Sequence, residues 1–209
     1  GEHQTQPFVR RPPDPGIQLA FESSRLITPA LLEELAALLR LPAVSLVALG
    51  VGWNHQYSPR GTWAIPERNA QGQVIGVCCR GRDGSKRVLL KSQRGLYLPT
   101  GWQDVPGPIF VPEGFSDTAA LTSIGLAAVG RPSCTGGVHH LAELFRGVDR
   151  EIVILGENDR RANGDWPGRD GAIRVARGLE VELGRPVRFA LPPEGYKDVR
   201  EQIVAGRWS

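Results

Sequence analysis

The runs PIFVPEGFSDTAAL at residues 108–121 and EIVILGEND at residues 151–159 decide how this chain is read. Each is a short apolar stretch that ends in an acid beside a glycine: Glu113 before Gly114 in the first, Glu157 after Gly156 and then Asp159 in the second. Such runs predict buried strands, and the residues after them turn to a helical period. Outward from them lie AAVGRPS (127–133), GVHHLAELFRG (137–147), a polar loop RRANGDWPG (160–168), RDGAIRVARGLEVELG (169–184), PVRFALPP (186–193) and VREQIVA (199–205). After Pro106, strand and helix therefore alternate four times, which predicts an α/β fold with a parallel sheet and a ligand crevice at the carboxyl ends of its strands.

Glu113, Glu157 and Asp159 fall at that end. In an extended segment Glu157 and Asp159 point the same way, and if the two strands are neighbours Glu113 joins them. Three crowded carboxylates repel one another unless a hard cation neutralises them, and oxygen-only ligands suit Mg²⁺ or Mn²⁺. Taken singly, each acid has an ordinary alternative: Glu113 as a turn residue, Glu157–Asp159 as a helix cap.

Upstream the texture differs. Thr28 as N-cap, Pro29 at the first helical position and Leu31, Leu32, Leu35, Leu38 and Leu39 at helical spacing predict an amphipathic helix. VSLVALG (44–50), GTWAIPE (61–67), QVIGVCC (73–79) and KRVLL (86–90) favour strands, with turn signals between them, and predict a small antiparallel sheet. Residues 1–106 hold 12 Lys+Arg against 8 Asp+Glu, whereas residues 107–209 hold 13 against 14. Arg80, Arg82, Lys86, Arg87, Lys91 and Arg94 place six cations in fifteen residues opposed only by Asp83, either a solvated edge or a phosphate track.

The acid-bearing strands resemble the Toprim domain shared by bacterial and bacteriophage primases, topoisomerases and some nucleases. Glu113–Gly114 followed by a helix is similar to its first motif. Glu157-x-Asp159 followed by GRDGA is similar to the second, with Glu in place of the usual Asp, and Lys197–Asp198 in LPPEGYKDV is similar to the closing segment of primase members. GTWAIPERNAQGQVIGVCCRGRDGSKRVLLKSQRGLYLP (61–99) resembles the basic subdomain that precedes Toprim in primases, with Arg80 and Lys86 at the template- and nucleotide-facing positions and Lys91 a weaker third.

GEHQTQPFVRRPPDP (1–15), polar, Pro-rich and without period, reads as a linker or tail; the resemblance implies a basic mixed α+β subdomain over 16–106 and a Toprim domain over 107–209. It implies a DNA primase core making RNA primers on single-stranded DNA from ribonucleoside triphosphates. Glu113, Glu157, Asp159 and Asp198 would be catalytic, the first three holding Mg²⁺ or Mn²⁺, with Arg80, Lys86, Lys91 and Lys197 on nucleotide or DNA. A replicative helicase domain or protein is the implied partner. A Toprim nuclease and a non-catalytic DNA-binding module of a mobile element remain alternatives.

Composition narrows the rest. The chain has 209 residues, 41% hydrophobic and 22% charged, with a formal charge of +3. It lacks a run of about 18 apolar residues for a membrane span and an N-terminal signal pattern. Three cysteines without C-x-x-C spacing fit a reducing, cytoplasmic setting. Absence of methionine and a start at Gly1 lead us to expect a piece of a longer protein. Asp117 and Thr118 are expected to cap a helix or support Glu113. Cys78 and Cys79 are expected to lie one buried and one outward, and Trp53 and Trp63 to pack in the core. A soft-metal site at Cys134, His139 and His140 is disfavoured because adjacent helical residues diverge.

Overall fold

The structure, a computed structural model, describes residues 15–88 and 92–208. Three helices come first: α1 (Pro15–Leu26), α2 (Pro29–Leu39) and α3 (Ala43–Ala48). At the start of α2 the Thr28 hydroxyl accepts the Leu31 N–H, and Pro29 takes the first turn, where no N–H is needed. Leu35, Ala36 and Leu39 are buried, while Leu38 stays half exposed.

The segment VSLVALG, expected as a strand, belongs to α3. Leu46 and Leu49 are buried while Val44 and Val47 are exposed, a spacing of three that only a helix can satisfy. Packing has overridden the β preference of the two valines.

An antiparallel sheet follows in the order β1 (Gly52–Asn54), β2 (Thr62–Arg68), β3 (Val74–Arg80), β4 (Lys86–Val88). Trp63 and Ile65 face the α2–α3 side, and the Trp63 indole donates to the Leu31 carbonyl at 2.9 Å. Ala64, Val77 and Cys79 face Leu19 and Ala20 of α1. Because α1 covers the second face, Cys78 and Cys79 are both buried, contrary to the expected one-in, one-out placement.

The second sheet is parallel, in the order β5 (Ile109–Val111), β6 (Ile152–Leu155), β7 (Arg188–Ala190). Ile109, Val111, Ile152 and Ile154 pack on Leu141 and Phe145 of α5 (Val138–Phe145) and on Val175 and Leu179 of α6 (Pro167–Leu183). Val153 and Leu155 pack the other way, on Leu121 of α4 (Gly114–Ser123) and Val199 of α7 (Val199–Val204). This is the α/β arrangement expected, apart from AAVGRPS. That segment runs parallel to β5 through bridges at Ala128 and Arg131 without forming a regular strand.

One seam joins the sheets. Leu96 pairs antiparallel with Arg68 of β2, and Tyr97 pairs with Gly130, which lies beside β5. Tyr97 N–H donates to Gly130 O at 2.8 Å and Gly130 N–H returns a bond to Tyr97 O at 2.9 Å. Phe115, Ala119 and Ala120 of α4 share an apolar cluster with α2, Trp63 and Tyr97, so the core crosses the seam. A Cβ on Gly130 would lie 2.1 Å from Thr118 Oγ1 and 3.0 Å from Tyr97 Cβ. Gly130→Ala is therefore expected to lower stability by about 1–3 kcal/mol. An unchanged midpoint in chemical denaturation would mean that the seam tolerates a side chain there.

Candidate active-site cleft

The ends of β5 and β6 and the start of α7 face the antiparallel sheet across a cleft of about 590 Å³. Pro112 and Glu113 follow β5, and Gly114, at φ 75°, turns the chain into α4 so that Glu113 stands at the helix start without capping it. Glu157 follows β6 by way of Gly156. Asp198 begins α7, its Oδ1 accepting the Glu201 N–H at 2.8 Å. These three acids and Asp117 of α4 all line the cleft.

The opposite wall is basic. In the β3–β4 register Arg80 pairs with Lys86 and Cys79 with Arg87. Alternation puts Arg80 and Lys86 on the cleft side and Arg87 on the reverse face. Lys197 also enters, with Nζ 3.7 Å from Glu157 Oε2. Lys91 lies outside the described residues.

Two cations of the basic run serve the fold instead. Arg82 is bound to both Glu34 carboxylate oxygens and lies over the Trp53 ring at 4.7 Å. Arg94 donates to fully buried Glu67 from Nε and Nη2 at 2.8–3.0 Å, and the same carboxylate accepts from Tyr97 Oη at 2.8 Å. Trp53 and Trp63 are core residues, 4% and 0% exposed.

Asp159 is placed differently from the other acids. Regular strand ends at Leu155, so alternation does not carry Glu157 and Asp159 to one side. Asp159 Oδ1 accepts the Gly168 N–H of α6 at 2.8 Å, and the residue does not line the cleft. Its charge nevertheless reaches Glu157. Burial and the Glu113 carboxylate push the Glu157 carboxyl up, with Asp198 and Asp159 adding to the rise and Lys197 opposing it.

Asp117, expected chiefly as a helix cap, is 4% exposed and makes no cap bond. Burial, then the Asp198 and Glu157 charges, hold its carboxyl well above the ordinary aspartate range. Its position four residues after Glu113, on one helical face, is the signal that could have found it. The sequence reading also missed two cations. Arg131 is fully buried and donates to the carbonyls of Ser133, Cys134 and Leu155, with Nη1 3.7 Å from Glu113 Oε2. Arg200 of α7 stands 3.7 Å from Asp198 and 4.0 Å from Asp117.

Among the described residues no group of three or more His, Cys, Asp or Glu side chains is drawn together tightly enough to hold a metal ion, at the acids or at Cys134, His139 and His140. The chemistry of the acids nevertheless suits a hard divalent cation: their donors are all oxygen, and burial, then neighbouring carboxylate charge, raises Asp117 and Glu157, the second of which causes such a cation would relieve. All three cysteines are free, and burial pushes the Cys78 and Cys79 thiols up, away from thiolate reactivity. No helix among the described residues is long and apolar enough to cross a membrane.

No family model matches the chain, and no curated protein matches it. Solved structures do. The E. coli primase catalytic core is 20% identical over 90% of this chain and 74% of its own, with a TM-score of 0.65. A DnaG primase catalytic domain bound to ssDNA is also 20% identical, over 90% and 72%, at 0.65. The primase fragment of the bacteriophage T7 primase-helicase protein is 14% identical over 82% and 68%, at 0.55. The chain thus has the fold of a primase catalytic core.

The raised Asp117 carboxyl has a stability consequence. Between the ordinary aspartate value of 3.8 and its higher folded value, the native state holds a proton that the unfolded chain has lost, so stability falls as pH rises through that window. In the absence of divalent cations, Asp117→Asn is expected to gain on the wild type as pH increases from about 4 to 7. Parallel denaturation midpoints across that range would contradict it.

Proposed function

We propose that the chain is the RNA-polymerase core of a DNA primase, with residues 16–106 as its basic subdomain and 107–209 as a Toprim domain. The observation that carries this reading is the bipolar cleft, in which Glu113, Asp117, Glu157 and Asp198 face Arg80 and Lys86 across one cavity. Nucleotidyl transfer needs that pairing: oxygen ligands for a cation at the reacting phosphate, and fixed positive charge for the phosphates around it.

Glu113, Glu157 and Asp198, with Asp117, would hold Mg²⁺ or Mn²⁺. Asp159 could join them only by giving up its bond to Gly168. A cation held there would neutralise triphosphate charge and lower the pKa of the attacking 3′-hydroxyl. Arg131, buried with Nη1 3.7 Å from Glu113 Oε2, orients that carboxylate. Arg80 and Lys86 grip phosphates, Arg80 as a planar fork and Lys86 as a mobile point charge. Lys197, close to Glu157, is positioned to meet phosphate or to shield that acid until the cation arrives.

The ligands of this reading are single-stranded DNA and ribonucleoside triphosphates. The fold likeness to a DnaG domain bound to ssDNA supports the first. Likeness to the T7 primase-helicase fragment supports a replicative helicase partner. Free cysteines accord with a cytoplasmic setting.

Primer extension tests the proposal. With end-labelled single-stranded DNA, a short annealed RNA primer, four ribonucleoside triphosphates and Mg²⁺ or Mn²⁺, longer products are expected. Glu157→Gln should reduce them at least about a hundredfold while melting as a folded protein. Shortened DNA would instead identify a nuclease, and an unchanged ladder with either metal would remove the polymerase reading. Separately, Lys86→Ala should weaken oligonucleotide binding and lower the slope of log affinity against log salt by about one. Identical isotherms at every salt concentration would take Lys86 off the strand's path.

A further inference from the structure

Arg200 has no role in the reading above, and its surroundings ask for one. It comes from α7 and shares the cleft with Arg80 of β3, so two guanidiniums from opposite walls converge on one cavity. Among the described residues the Nε of each is buried and has no hydrogen-bond partner, as is also true of Arg131 Nε, whose Nη atoms are however engaged with carbonyls. Among the described residues the carboxylates near Arg200 are Asp198, with Oδ2 at 3.7 Å, and Asp117, with Oδ1 at 4.0 Å, both too long for hydrogen bonds.

Arginines used structurally in this protein look different. Arg94 makes three bonds of 2.8–3.0 Å to one carboxylate, and Arg131 donates to three backbone carbonyls. Arg80 and Arg200 lack such acceptors and stand close enough for the Arg200 charge, after burial, to pull the Arg80 guanidinium down. Two partly desolvated like charges with unfilled donors are stabilised by an anion of high charge density between them, and guanidinium forks match phosphate oxygens bidentately.

We propose that Arg80 and Arg200 together form the site for the polyphosphate tail of a nucleoside triphosphate. This rests on the bipolar cleft being a nucleotide site, and it goes beyond that reading by dividing the basic wall. The tail lies between β3 and α7, next to Asp117 and Asp198 where the cation would sit. Lys86, exposed and with Nζ 6.0 Å over the Phe115 ring, is left to the nucleic-acid strand. Three linked phosphates satisfy two forks and a cation together, whereas one phosphodiester does not, so the pair selects triphosphates over monophosphates.

The test is calorimetric titration of the described protein and its variants with inorganic tripolyphosphate, which has no base or sugar, with Mg²⁺ present. A single-stranded oligonucleotide is titrated in parallel. Arg200→Gln is expected to weaken tripolyphosphate binding about tenfold or more, the loss of a charge-assisted contact, with less than about a twofold change for the oligonucleotide. Arg200→Lys, which keeps the charge and the fold's ionic contacts but not the fork, should fall between. Tripolyphosphate binding unchanged in both variants overturns the proposal, as does an equal loss for both ligands.

Primer extension separates this from the wider reading. Wild-type protein that extends nothing yet binds tripolyphosphate through Arg200 leaves the polyphosphate site standing and the polymerase reading fallen. Active protein with unaltered tripolyphosphate binding in Arg200→Gln gives the converse.

Discussion

The cleft exists because two short backbone pairings hold two different sheets in one body. Arg68 with Leu96 and Tyr97 with Gly130 carry hydrogen bonding from β2 to the segment beside β5. Neither pairing is long, but Leu96, Tyr97 and Gly130 are buried, so their backbone groups are costly to leave open. Tyr97 adds a second tie, since its hydroxyl donates to the same Glu67 carboxylate that fixes Arg94, while Arg94 Nη2 donates across to Pro132 O. A glycine at 130 is what permits the approach. Backbone, buried charge pair and apolar core thus converge on one place, and the acids and bases of the cleft are positioned from it.

The electrostatics of the cleft follow from that geometry. Carboxylates gather at strand and helix ends, and burial together with the neighbouring charges makes Asp117 and Glu157 resist ionising. Arg131 beneath them, and Arg80 and Lys86 across from them, reduce the net charge without touching every acid. A cation among the acids and an anion against the bases would satisfy both walls, which is what the proposed function asks of them.

What the sequence disclosed was what local pattern controls. Apolar runs ending in Glu113 and Glu157 named the strand ends, and Thr28–Pro29 named a helix start. Arg80 and Lys86 share a face, as their position on paired strands implies. Where tertiary packing decides, the sequence misled or was silent. Val44 and Val47 favour a strand, yet Leu46 and Leu49 needed a common buried face. Cys79 is buried by α1, a helix no strong apolar period announces. Asp159 was assigned by extending strand alternation past the last strand residue. Arg200 reaches the cleft only because α7 packs on α4 and β3 crosses in front, neither visible in a linear pattern.

The ion pair at Arg82 changes how much positive charge this face has to offer. Counted from composition, residues 80–94 offer six positive charges to a polyanion. Arg82, locked to Glu34 above Trp53, and Arg94, locked to Glu67, are already neutralised, and Arg87 faces away. The surface presented to a strand is accordingly much less adhesive than its sequence advertises. On the proposed function, a strand would be held at the cleft, where charge and shape act together, and not along the whole basic run.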